Sequence, residues 1–220
     1  RPHLLAPAPM RTRPPLAAGM LAAALAAAPA AAPLPQERVL ELCAGVEGIT
    51  HCGRRIEAEQ LKALPDLAVR DGDTLRVKLF PSGTRDFVDT ATAGSDRGYA
   101  LWDYWSPINA VVLFVTSGDD ISYAVLQRAT NALTVLPAEP VLAPDRQRVA
   151  VADFCPARCA NEITLWRVTR EGLRKEAAMK PAAGWADVTV AWKEGETLSI
   201  QYTLPGAAKP RTEDRVLTDR

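Results

Sequence analysis

From Leu75 to Tyr202 strand and turn signals return roughly every ten residues, with no second stretch of convincing helix. Leu75, Val77 and Leu79 alternate with Arg76 and Lys78, and Pro81-Ser82-Gly83-Thr84 then turns the chain toward Phe87 and Val88, which is a hairpin pattern. Punctuation at this interval leaves no room for long helices. The expected fold class is mainly β, with antiparallel sheets building a body over residues 75–204. Ahead of that body, Val39, Leu40 and Cys43 fall at helical spacing. So do Ile56, Leu61 and Leu64, with Glu57, Glu59 and Lys62 expected outward before Pro65 stops the helix. Residues 37–68 are therefore expected to form a short helical cap. The Pro- and Gly-containing, charged stretch 205–220 lacks periodicity and is expected to be an exposed polar tail.

The front of the chain reads as an export signal. Arg11 and Arg13 follow Met10, an uncharged run of small apolar residues extends from Leu16 to Ala28, and Ala28-Pro29-Ala30 offers a small-residue cleavage site. The apolar run is shorter than the roughly 20 residues of a membrane span. Residues 1–30 are accordingly set aside as upstream residues plus a cleaved signal, with 31–36 as a linker. No integral membrane segment is expected after cleavage. Leu40-Glu41-Leu42-Cys43 makes a poor lipoprotein box because an acid stands where small residues are needed. The expected location is periplasmic or secreted, and the wealth of Ala, Arg and Pro suggests a bacterial source.

Charge excludes one class of partner. Lys+Arg and Asp+Glu both number 26, so the whole chain lacks the basic footprint of a nucleic-acid binder. The four cysteines, Cys43, Cys52, Cys155 and Cys159, form an even set in an exported chain, and the simplest pairing is local, Cys43 with Cys52 and Cys155 with Cys159. The alternative is a zinc site using the same cysteines with His51. Only the Cys155/Cys159 arm has the spacing zinc favours, so disulfides are expected and no metal or other cofactor is assigned.

Internal repetition organises the body. Ser106-Pro107-Ile108-Asn109 precedes the apolar run Val111 to Val115, Ala143-Pro144-Asp145-Arg146 precedes Val149 to Val151, and Lys193-Glu194-Gly195-Glu196 precedes Leu198 to Ile200. The segments Tyr123 to Asn131 and Ile163 to Gly172 each read as strand, turn at Asn or Gly, then strand, offset by about 40 positions. The stretch Glu139 to Val151, with Pro144-Asp145 in its turn, resembles Pro-Asp-type β-propeller repeats, whose Ser-Pro-Asp-Gly-Lys-Arg turn joins two inner strands. The resemblance covers about Leu75 to Tyr202 and implies partial β-propeller-like repeats amounting to about three blades. Closed propellers use four to eight blades. The array is then open, closed by pairing of chains, or a stack of sheets.

Candidate sites are sparse. Tyr99, Trp102, Asp103, Tyr104 and Trp105 form the densest aromatic cluster, suited to a sugar ring or a partner's apolar side chains, or else to burial between neighbouring sheets. On a regular strand Tyr99, Leu101, Asp103 and Trp105 would face one way and Ala100, Trp102 and Tyr104 the other. Trp166, Trp185 and Trp192 are expected to pack between strands. Asp71-Gly72-Asp73, Asp86 with Asp89, and Ser117-Gly118-Asp119-Asp120 read as turn chemistry rather than calcium loops. His51 is the one histidine after the leader, and no Gly-x-Ser-x-Gly elbow exists for a serine nucleophile. The expected function is non-catalytic binding or scaffolding, with an envelope protein or a glycan as partner. The alternative is a periplasmic carbohydrate-active hydrolase using carboxylates such as Asp103 with Asp119 or Asp120. No residue pattern names a specific ligand or catalytic residue.

Overall fold

The computed structural model describes residues 34–92, 96–182, 184–194 and 196–217. The proposed export signal and the first residues of its linker lie outside these. Helix α1 (Gln36–Cys43) and helix α2 (Ile49–Ala63) come first, joined at their near ends by the Cys43–Cys52 disulfide. Pro65 follows α2 at once, and Leu67 and Ala68 are already buried under the first sheet. The helical cap therefore ends sooner than residue 68, and strand β1 (Ala68–Asp71) starts before the alternation at Leu75. Gly72, at φ 53°, supplies the left-handed position that turns β1 into β2 (Thr74–Lys78). With β3 (Thr84–Val88) these strands make the first sheet.

Three further antiparallel sheets follow, each made of consecutive strands. The second holds β4 (Arg97–Trp105), β5 (Ala110–Ser117), β6 (Asp120–Gln127) and β7 (Ala132–Leu136). The third holds β8 (Pro140–Leu142), β9 (Arg148–Asp153), β10 (Glu162–Thr169) and β11 (Gly172–Met179). The fourth holds β12 (Ala186–Trp192), β13 (Thr197–Thr203) and β14 (Arg211–Val216). Four sheets thus stand where the hairpin count gave about three units. The repeated turns before Val111, Val149 and Leu198 occupy one structural place, the link from first to second strand of the second, third and fourth sheets.

Three apolar layers bind the sheets in sequence order. Leu75, Val77 and Phe87 of the first sheet meet Leu101, Val111, Leu113 and Leu126 of the second. The other face of the second sheet, with Val112, Phe114 and Val125, meets Val149, Val151 and Leu173 of the third. The remaining face of the third, with Ala150, Ile163 and Leu165, meets Leu198 and Ile200 of the fourth. A sheet covered on both sides needs apolar residues at successive positions, which is why β5 reads Ala-Val-Val-Leu-Phe-Val and is buried throughout that run. The outer faces of the end sheets are mostly polar. Arg76 and Asp86 form a cross-strand ion pair on the first, and Gln201 pairs with Thr212 on the fourth.

The segment expected as a polar tail contains β14, which is antiparallel to β13 from Thr197↔Val216 to Tyr202↔Arg211. Its side chains are mostly exposed, so backbone pairing rather than apolar burial holds it, and no hydrophobic period marks it in the sequence. Because strands run consecutively, their connections alternate between the two ends of the stack. One end carries Gly118-Asp119, the β7–β8 link and the Cys155–Cys159 loop; the other carries Asn109, Asn131 and Arg146.

Candidate functional site

Strand β4 is the free edge of its sheet, and helix α2 lies along it. Gly53 permits the approach: a Cβ there would lie 2.8 Å from the Phe114 ring on β5. Two polar residues on the same helix face then serve the open backbone of β4. Glu57, buried, accepts from the Leu101 N–H at 2.9 Å and from Arg70 Nε and Nη2, each at 2.8 Å. Gln60 donates to the Trp102 carbonyl at 2.7 Å. Asp89 accepts from the Tyr99 N–H at 2.9 Å and pairs with Arg54, while Arg70 donates to the Tyr99 carbonyl at 2.6 Å. Glu57 therefore points inward, not outward as its helical position alone suggests, because an edge strand and Arg70 both require an acceptor. This edge is closed to strand addition.

A β-bulge at Trp102 breaks the alternation expected for the aromatic cluster. Leu101 pairs with Leu113 and Asp103 with Val112, leaving Trp102 as the extra residue. Tyr99, Leu101 and Tyr104 consequently join the layer beneath the first sheet, whereas Ala100, Trp102 and Trp105 join the layer above the third. The five candidate ligand residues are thus distributed. Tyr99 packs against Phe87 with ring centroids 5.3 Å apart. Tyr104 donates to Asn109 Oδ1 at 3.0 Å and lies under the Arg128 guanidinium. Trp105 is buried. Trp102 and Asp103 alone come together at a cavity, one of about 50 Å³ shared with Leu34, Val39, Ile56 and Glu139.

Around Trp102 the chemistry is concentrated. Its indole stacks on Phe114 at 5.3 Å, meets Tyr123 edge-on at 5.5 Å, and donates from Nε1 to Glu139 Oε1 at 2.8 Å. Burial raises the Asp103 carboxyl above the usual aspartate range, against the pull of the Tyr104 N–H and Trp105. Burial also raises Glu139, opposed by the Trp102 hydrogen bond and reinforced by the charge of Asp103. Glu139 is nonetheless exposed by surface area, so solvent screens much of that effect. The Tyr123 hydroxyl is pushed up by burial and then by the charge of Glu139.

Tyr123 and Glu139 also line a cleft of about 810 Å³ between the second and third sheets. Its rim includes Asp119, Asp120 and Asp153, and Arg158 from the Cys155–Cys159 loop reaches Asp120 Oδ1 at 2.7 Å. On the far side of the same loop, Phe154 and Trp185 line a second cleft of about 580 Å³. Trp185 precedes β12 instead of lying on a strand, and it stacks on Tyr202 at 3.9 Å. Trp166 and Trp192 pack beside the second and third apolar layers, and Trp192 Nε1 donates to the Val141 carbonyl at 2.9 Å.

The other sequence candidates are structural. Cys43–Cys52 and Cys155–Cys159 are disulfides, with Cα separations of 4.8 and 5.3 Å, so the cysteines are not available as zinc ligands. His51 Nδ1 lies 2.7 Å from the Glu47 carbonyl on the exposed side of α2. No described helix is long and apolar enough to cross a membrane. Glu57 and Gln60 on α2, Tyr123 on β6 and Glu139 in the β7–β8 link were not legible as neighbours of β4, because only the bulge and the stacking of sheets bring them to Leu101 and Trp102. Compared with known proteins, the chain matches no family model and no curated sequence.

Proposed function

We propose that this chain is an exported, non-catalytic binding protein of the bacterial envelope, whose four sheets serve as the blades of an open, propeller-like array. The observation that carries the reading is the 810 Å³ cleft at the end of the stack bearing the Cys155–Cys159 loop. Its volume is that of a ligand site, it opens between two rigid sheets, and a disulfide holds one wall. The disulfides and β-rich fold accord with an oxidising compartment outside the cytoplasm. The mostly polar outer faces of the first and fourth sheets support an open array, since closure would bury them against each other. Strand addition to β4 finds no support, because α2 occupies that edge.

One observation favours the alternative of a carbohydrate-active hydrolase: Asp103 and Glu139 share a cavity and both carboxyls are raised. That cavity, about 50 Å³, suits a water rather than a sugar ring. Asp120 is engaged by Arg158. Binding is therefore the preferred reading. It is tested by crosslinking the tagged protein in intact envelopes and identifying captured proteins and glycans, using wild type and the Glu139→Gln/Asp119→Asn double variant. Capture that depends on the cleft is expected. Equal capture by both proteins would remove the cleft from the function, and glycan hydrolysis lost in the double variant would establish the alternative.

A further inference from the structure

The cleft is acidic in a particular way. Asp119, Asp120, Glu139 and Asp153 line it against a single cation, Arg158. The carboxylates do not converge: among the described residues no three acidic, His or Cys side chains lie close enough to hold a metal ion. Spread over about 810 Å³, they match a cation whose charges are themselves spread. A second observation is independent of charge. Tyr123 is 8% exposed and lines the cleft, yet its hydroxyl has no hydrogen-bond partner among the described residues. That hydroxyl is open to the cleft and not sealed among protein atoms, so a ligand N–H can reach it directly. Arg158 supplies an internal precedent, since its guanidinium already sits on Asp120 at 2.7 Å.

We propose that this cleft binds a linear aliphatic cation carrying two or more ammonium groups, held by Glu139 and Asp119 and donating one N–H to the Tyr123 hydroxyl. The inference rests on the binding function proposed above and names its ligand class. Arg158 competes with the ligand for the acidic wall. Glu139 is presented by the Trp102 hydrogen bond, which fixes one of its oxygens and leaves the other for the ligand.

The test is titration calorimetry of the folded, disulfide-intact protein with spermidine, and separately with tri-lysine, at low salt; the two arms distinguish a free polyamine from lysine side chains. Saturable binding of one or both probes is expected. Glu139→Gln and Asp119→Asn should each weaken it about three- to tenfold, and Tyr123→Phe, which keeps the ring packing, about threefold. Arg158→Ala should tighten it by about threefold, a gain that general destabilisation cannot produce. Absence of saturable binding with both probes would overturn the proposal. So would binding that survives the Glu139→Gln/Asp119→Asn double variant unchanged while its melting transition matches wild type. If both probes fail while cleft-dependent capture from envelopes persists, the ligand class falls and the binding function stands.

Discussion

At the scale of single residues, the molecule places polar groups where sequence alone puts solvent. Glu57 shows why. On a helical wheel it sits among exposed partners, and only the position of the β4 edge reveals that its carboxylate is needed by Leu101 and Arg70. Glu57→Ala should therefore cost about 3 kcal/mol in urea unfolding, because it strands a mostly buried guanidinium and an edge amide, whereas Glu59→Ala, on the solvent side of the same helix, should leave the unfolding midpoint nearly unchanged. Asp103 gives a prediction in pH. Its carboxyl is raised above the ordinary value of 3.8. As pH climbs through 3.8 the unfolded chain ionises first while the folded chain keeps its proton, so folding loses stability until the folded group also ionises. Asp103→Asn should match wild type near about pH 3 and exceed it in melting temperature near about pH 7. A difference independent of pH would mean that the carboxyl's burial carries no such penalty.

At the scale of elements, what could be read in the sequence was what apolar period and turn chemistry encode. The hairpin of β2 and β3, the buried run of β5 and the local cysteine pairs all follow from neighbours along the chain. What escaped depended on distant partners. The Trp102 bulge reorients the rest of β4 and separates residues that regular alternation groups together. β14 is exposed on most side chains, so nothing in Arg211 to Val216 announces a strand. The Cys155–Cys159 loop is the element on which the cleft most depends, because it carries Arg158 and separates the two clefts. Replacing both cysteines with serine should cost about 2 kcal/mol by loop-closure entropy. It should also speed hydrogen exchange across residues 154–160 while leaving the apolar layers protected. Loss of protection throughout β5 would instead make the disulfide a determinant of the whole fold.

At the scale of the whole molecule, four sheets stacked in chain order produce two unlike ends, and binding is proposed for one of them. The mainly β class and the repeated turn-then-strand units were legible because each sheet repeats a local plan. The number of sheets was not, since the first and fourth each contain a strand with weak patterning. The most direct test of the central claim places a photoreactive residue at Ile121, on the cleft, and in a second variant at Arg170, on the opposite end. Each is expressed in cells, illuminated, and purified for intact mass. A discrete added mass at position 121 and none at position 170 is the expected result. Adducts at position 170 alone, or equal labelling at both, would contradict it.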